Sequence, residues 1–383
     1  MKIAVVGAFG LMAEAALHDL AADRRVERIY ALDINVSRAR AVLSRIPAKK
    51  KITVIEGDFR KFRQPVDVVY NCAWYELNVA VMDLALKLKA HYVDLGGLYH
   101  TTLKQLKLGP RFKAAQKVAV LGCGSTPGIT NMMVARLAHS FETIDTVAIY
   151  DASHDPTISE DSYLPPFSIR TMLAEFVQPA PILKKGRMVE VAAHSEADEL
   201  DFRAPIGRVS AGTVIHSETA TLPAYLKSKG VKNVFFKIVY PEVVKRQLAL
   251  LVGMGFAKPE PVRLDGRDLS RLRFLTAMAP PPPFIPPADF EVLRVSVSGR
   301  RHGRPLVKTW DCEMRATKLL TAGAMGVGFA GAIAAILCAT GKTKLVGGAA
   351  APESALDEDA FFAELKKRKI FSLHETISHP LTV

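Results

Sequence analysis

Cysteine is scarce in this chain. Among 383 residues there are four, Cys72, Cys123, Cys312 and Cys338, far apart and with no C-x-x-C spacing. That argues against a zinc ribbon or a disulfide framework, predicts no metal site, and fits a reducing, cytoplasmic setting. Any helix-turn-helix, RRM or zinc-finger pattern is also missing. The chain is basic, with 51 Lys and Arg against 38 Asp and Glu, but the basic residues lie in short scattered groups without interleaved aromatics. No nucleic-acid partner is therefore expected. One long uncharged run exists, residues 319–337, and it reaches the length of a membrane span. Its residues are mostly Gly and Ala, which permit close packing, so a buried core helix is expected and no membrane partner. A strict G-x-G-x-x-G is absent as well, because Phe9 and Met12 occupy the places of its second and third glycines.

What is present begins at the N-terminus. The apolar, β-branched run 3–6 reads as a strand buried on both faces. Gly7 and Gly10 then turn the chain into a helix over 11–22, and a second strand over 29–32 ends at Asp33. The turn fits G-x-x-G-x-x-A, with Gly7, Gly10 and Ala13 as its small positions. In that plan Gly7, Ala8, Phe9, Gly10 and Leu11 wrap a pyrophosphate at a helix N-terminus, and Asp33 and Asn35 meet the adenosine ribose. A carboxylate at position 33 repels a 2′-phosphate, so NAD is favoured over NADP as the cofactor. Further strands at 52–56, 66–70, 91–94 and 118–121 alternate with helices at 36–46, 78–89 and 102–116, predicting a doubly wound parallel sheet. Asp58 falls where an adenine ring would lie. Asn71, Cys72 and Ala73 fall at the carboxyl edge of the sheet, where a nicotinamide would lie. Residues 122–131 form a Gly-rich turn that opens a helix; it offers N–H groups to an anion, or joins two domains.

Beyond residue 146 the texture changes. Strands at 146–150, 188–191, 213–215, 234–239, 291–297 and 305–312 are mixed with helices at 167–177, 221–228 and 241–254. They predict a second, α+β domain on a mostly antiparallel sheet, with the last two strands forming a hairpin around 299–303. Residues 279–288, with six prolines, read as an extended surface connection. The fold class expected is α/β: a Rossmann-type doubly wound parallel sheet with this second domain.

Several stretches together resemble a known family. They are VVGAFG at 5–10 with Asp33 and Asn35, YVDLGG at 92–97, GSTPGITN at 124–131, the long stretches 167–191 and 237–256, and VGFAGAIAAILC at 327–338 followed by 351–370. In this order they resemble the saccharopine dehydrogenase-like oxidoreductases, closest to the lysine 6-dehydrogenase branch. The resemblance implies a nucleotide-binding domain over 1–125, completed by C-terminal helices within 319–370, around an inserted substrate and dimerisation domain over 126–318. It implies a homodimer, and hydride transfer between NAD(P) and the C–N bond of a small amino-acid substrate or its imine. Asp94 is the position that matches the strand-end acid near the substrate in relatives. Where relatives often carry an arginine before an aromatic–Pro pair, this chain has Val239 before Tyr240-Pro241.

The chemistry asks for a group that accepts a proton from an amine. His216 and Glu218, in TVIHSETATLP at 213–223, would share one face of a strand. They could hold an ammonium and relay a proton, or be a polar pair at a strand end. Asp94 could anchor the amine, or be merely structural as a strand-end cap. Lys237, on an apolar strand, would bind a substrate carboxylate if it points inward. Oxidative deamination of lysine is the simplest activity on this reading, with a saccharopine-type reductase or a non-catalytic dinucleotide-binding relative as alternatives.

Overall fold

The computed structural model describes residues 1–158, 167–278 and 286–379. Most of the proline-rich stretch expected to be a surface connection, residues 279–285, lies outside the described residues.

The first sheet has seven strands, all parallel. From edge to edge they are Gly348–Ala350, Val118–Val120, His91–Asp94, Val68–Asn71, Lys2–Val6, Arg28–Asp33 and Ile52–Glu56. Ile3, Ala4 and Val5 are wholly buried, as a parallel strand covered on both faces requires. The strand order reverses between Lys2–Val6 and Val68–Asn71. Ligands bind outside the carboxyl ends of strands at such a switch point. The single helix expected over 102–116 is in fact two, Tyr99–Leu106 and Gly109–Ala114, with Pro110 at the start of the second. Proline suits a first helical turn and cannot continue an earlier one.

The C-terminal part returns to this sheet with more than helices. The strand Gly348–Ala350 extends the sheet beside Val118–Val120. The helix Ala322–Ala339 is long and apolar enough to cross a membrane, and 78% of it is buried inside the protein. It packs on the helix Leu11–Ala22 and over the strands. Its small residues are explained by close approach: a Cβ at Gly331 would lie 2.1 Å from the Tyr70 hydroxyl oxygen, and that hydroxyl donates to the Gly328 carbonyl at 3.1 Å. Arg368 makes a bidentate pair with Asp19, at 2.8 and 2.6 Å, and fastens the C-terminal helix Glu358–Lys367 to the N-terminal one. Substituting Gly331→Ala is expected to cost about 1–3 kcal/mol through overpacking, read as a lower urea midpoint. An unchanged midpoint would refute the close packing.

The second sheet has nine strands. Its main path runs Asp198–Asp201, Arg208–Thr213, Asn233–Val239, Thr143–His154, Phe290–Arg301, Arg304–Arg315, Phe371–Ser378. The ribbon Ala180–Lys184 and Arg187–Val191 attaches to Asn233–Val239. Among the described residues only the pair Asn233–Val239 with Thr143–His154 is parallel in this sheet. The expected hairpin is there, as Phe290–Arg301 and Arg304–Arg315.

Candidate active site

A cavity of about 460 Å³ lies at the carboxyl edge of the first sheet and reaches the second domain. On one side it is lined by Gly10, Leu11 and Met12 of the first turn and by Cys72, Ala73 and Trp74 after the fourth strand. Gly7 explains how these segments meet. It has φ +71°, and a Cβ there would lie 2.7 Å from the Ala73 Cα and backbone nitrogen. Gly10 is the N-cap of Leu11–Ala22 and provides no side-chain cap, which leaves first-turn N–H groups to face an anion. Asp33 accepts from the Phe9 N–H at 3.0 Å and the Asn35 N–H at 3.1 Å. The turn, its exposed helix end and the acid after the second strand fit a dinucleotide. Phe9 is buried, so at this position only its backbone belongs to the turn's surface. Asp58 lines a shallow depression with Leu32, Gly57 and Phe62 at the ends of the second and third strands. Asn71 is buried; it accepts from the Ala73 N–H at 3.1 Å and donates to Asn78 at 2.8 Å. It therefore holds the loop rather than facing the cavity.

Opposite this half stand His216, Phe236 and Tyr240. His216 and Glu218 do meet, but not along a strand. The strand Arg208–Thr213 ends before them, and Glu218 is the first residue of the helix Glu218–Tyr225. That bend brings His216 Nδ1 onto Glu218 Oε2. The imidazole also stacks on Phe236, with ring centroids 4.1 Å apart. Nε2 has no hydrogen-bond partner among the described residues. Glu218 is fully buried and accepts from the Thr126 and Thr130 hydroxyls. The stretch 124–131 is thus fixed to the His216–Glu218 pair. Part of its backbone closes on itself: the Gly124 N–H donates to the Pro127 carbonyl and the Ile129 N–H to Gly124, while the Gly128 N–H donates to Asn131 Oδ1; Ser125 and Thr126 border the cavity. Asn131 in turn donates to Glu353 at 3.0 Å, joining this turn to the C-terminal part.

Two expected residues are elsewhere. Asp94 is fully buried and does not line the cavity. Its carboxylate accepts from the Gly96 N–H at 2.9 Å, the Gly122 N–H at 2.7 Å and the Gln105 amide. With its lone pairs filled from within, it ties neighbouring strand ends together instead of anchoring an amine. Lys237 is also misplaced by the inward reading. Phe236 and Ile238 line the cavity, and strand alternation sends Lys237 to the opposite face. There it pairs with Asp198 at 2.7 Å and donates to the Glu196 carbonyl.

Four acids not singled out from the sequence complete the wall: Asp151, Glu175, Asp289 and Glu291. Glu175 accepts from the Tyr240 hydroxyl at 2.6 Å. Burial, reinforced by Glu218, pushes its carboxyl up to about 7 against the pull of His216 and Tyr240. Burial likewise raises Asp151 and Glu291. For His216 burial favours the neutral ring, but Glu218, Glu175 and Asp151 outweigh it and hold its pKa above the ordinary value. The signal for two of these acids was in the sequence. Val147, Ile149 and Asp151 share one strand face, as do Val295, Leu293 and Glu291. In both strands an acid ends an inward-facing apolar series.

Comparison with known proteins places the whole chain. The saccharopine dehydrogenase NADP binding domain matches residues 3–120, and the saccharopine dehydrogenase C-terminal domain matches residues 124–370. Carboxyaminopropylagmatine dehydrogenase of Synechocystis sp. is 25% identical over 302 residues, covering 73% of each chain. The solved structure of apo saccharopine dehydrogenase (L-Glu forming) from Saccharomyces cerevisiae has a TM-score of 0.73 at 16% identity. It covers 98% of this chain and 99% of that one, a likeness of fold.

Proposed function

Because this chain belongs to the saccharopine dehydrogenase family of NAD(P)-dependent oxidoreductases, we propose that it transfers a hydride at the C–N bond of a cationic amine, with His216 managing the proton. One observation carries this reading. His216, held by Glu218 and ringed by acids, lies in the same cavity as the glycine turn and the Cys72–Ala73 loop.

A bound nicotinamide supplies the hydride acceptor or donor. The side chains do the rest. An ammonium must become neutral before its carbon can release a hydride, and His216 Nε2 takes that proton. Glu218 keeps the imidazole oriented, and Thr126 and Thr130 keep Glu218 in place. Glu175 and Glu291 face the cationic part of the substrate. Water adding to the resulting imine, followed by loss of ammonia from the carbinolamine, completes a deamination. The narrowest form of this proposal is oxidative deamination of the lysine side chain, within a cytoplasmic homodimer. Rates for a panel of amines and amino acids with either cofactor, followed by nicotinamide absorbance, test it. Tight cofactor binding with no turnover of any amine would sink it.

NAD is the preferred dinucleotide in this proposal. Arg38, which could have met a 2′-phosphate, donates to the Phe9 carbonyl at 2.8 Å and lies 3.7 Å from Glu14. Asp33→Asn is expected to lower the ratio of NAD to NADP affinity by roughly 10–100-fold, the worth of hydrogen bonds to a charged group. An unchanged ratio in calorimetric titrations refutes the role of Asp33.

A further inference from the structure

The cavity wall has a one-sided charge. Asp151, Asp155, Glu175, Asp289 and Glu291 line it, His216 is the one basic side chain among the lining residues, and no lining residue is Lys or Arg. Nor do the residues outside the described ones, 159–166, 279–285 and 380–383, contain a Lys or Arg. None of these five acids has an ion pair with Lys or Arg among the described residues, whereas acids elsewhere in the protein commonly do. Glu175 and Glu291 are 3% and 5% exposed. Asp289 Oδ1 is a buried oxygen without a hydrogen-bond partner. Carboxylates gathered in a poorly solvated space with only one imidazole beside them are costly, and a further cation relieves that cost.

Most groups that could hold a substrate carboxylate are already used. The helix Ala322–Ala339 begins at the cavity, but the Thr321 hydroxyl accepts from the Ala324 N–H and Asp289 accepts from the Gly323 N–H. The N–H groups of Gly124, Gly128, Ile129 and Thr130 close on their own loop. Arg170 stacks on Trp74, 4.4 Å from the ring centroid, and does not line the cavity. A carboxylate entering this space would meet like charges and no guanidinium fork.

We propose that the substrate of this cavity is a di- or polycationic amine without a carboxylate, an alkyl diamine or a guanidino amine, instead of an α-amino acid. The inference rests on the amine oxidoreductase reading above and, within it, puts a carboxylate-free amine in the place of lysine. One nitrogen sits at His216 for oxidation, and the second cation sits among Glu175, Glu291 and Asp289.

Matched pairs that differ only by the carboxylate test it: lysine against cadaverine, and arginine against agmatine. Each is titrated calorimetrically into the NAD-saturated protein, and each is assayed for NAD reduction. The decarboxylated member of at least one pair is expected to bind about tenfold tighter or better, the worth of a charge-assisted contact. Equal or tighter binding of the amino acids overturns the proposal, and so does binding of no amine at all. Tight diamine binding without turnover keeps the proposal and refutes the oxidoreductase reading, so the two fail separately. Glu291→Gln supplies a second measure. It removes an uncompensated buried charge, so the melting temperature is expected to hold or rise while cadaverine affinity falls about tenfold. Unchanged cadaverine affinity in that folded variant counts against the proposal.

Discussion

Replacing His216 with Asn is expected to lower kcat for amine oxidation by roughly 10²–10⁴-fold, the usual contribution of a positioned acid–base group. Dinucleotide affinity should not change, because His216 stands across the cavity from the glycine turn. The pH dependence gives a sharper signature. The ring must be neutral to accept a proton. Burial favours the neutral form, but Glu218, Glu175 and Asp151 hold the pKa above its ordinary value. The oxidation rate should therefore rise with pH through that raised value and level off above it. Imine reduction, which needs the charged ring as donor, should be lost over the same interval. Glu218→Gln removes the largest of the raising influences, so the limb should move to lower pH. Steady-state pH profiles of both variants check this. A His216→Asn enzyme within a few-fold of the parent, or a limb that ignores Glu218, defeats the assignment.

Gly7→Ala is expected to abolish useful dinucleotide binding and to destabilise the protein. An L-residue at φ +71° costs about 1–2 kcal/mol. The added Cβ would also press at 2.7 Å on the Ala73 backbone. Backbone cannot rotate away as a side chain can, so a further ~1–3 kcal/mol of overpacking is expected. Relief requires moving either the glycine turn or the loop that carries Cys72 and Ala73, and both border the cofactor. Gly10→Ala is the informative contrast. Gly10 has φ −69°, and the nearest protein atom to its new Cβ is the Gly7 carbonyl oxygen at 3.4 Å. That variant should unfold near the parent's denaturant midpoint yet bind the dinucleotide at least tenfold more weakly, since its methyl occupies the anion's approach. If Gly10→Ala keeps full affinity, the pyrophosphate does not sit on this turn.

The first domain was legible because its strands are short β-branched runs that stop at Gly or Asp, and because Gly7, Gly10 and Asp33 fall where a βαβ unit needs them. Its last strand was not. Gly348–Ala350 reads GAA, with no branched residue or alternation to mark it, and only pairing with Val118–Val120 makes it a strand. Phe371–Ser378 escaped too, since its exposed Leu373 and Ile377 give no buried face. In the site, His216 and Glu218 stood out as polar residues in an apolar setting, but the turn that joins them is a tertiary fact. Asp94 and Lys237 failed for a shared reason. Sequence shows that a charged group is near a strand end, and only the fold shows whether neighbouring donors or acceptors already satisfy it. Glu175 gave the weakest signal, an acid on a helix whose Met172 and Leu173 are also buried.

The late return of the chain bears on the order of synthesis. Tyr70, Gly328 and Gly331 are in contact, as are Asp19 and Arg368, so the N-terminal sheet closes through partners far along the sequence. While the ribosome is still adding the second domain, the helix Leu11–Ala22 has its apolar side uncovered, and the edge beside Val118–Val120 is an open strand. Contacts of such separation slow folding and lengthen the time in which open edges can pair wrongly. The two sheets should then consolidate together, after residues 322–350 emerge, as one cooperative unit.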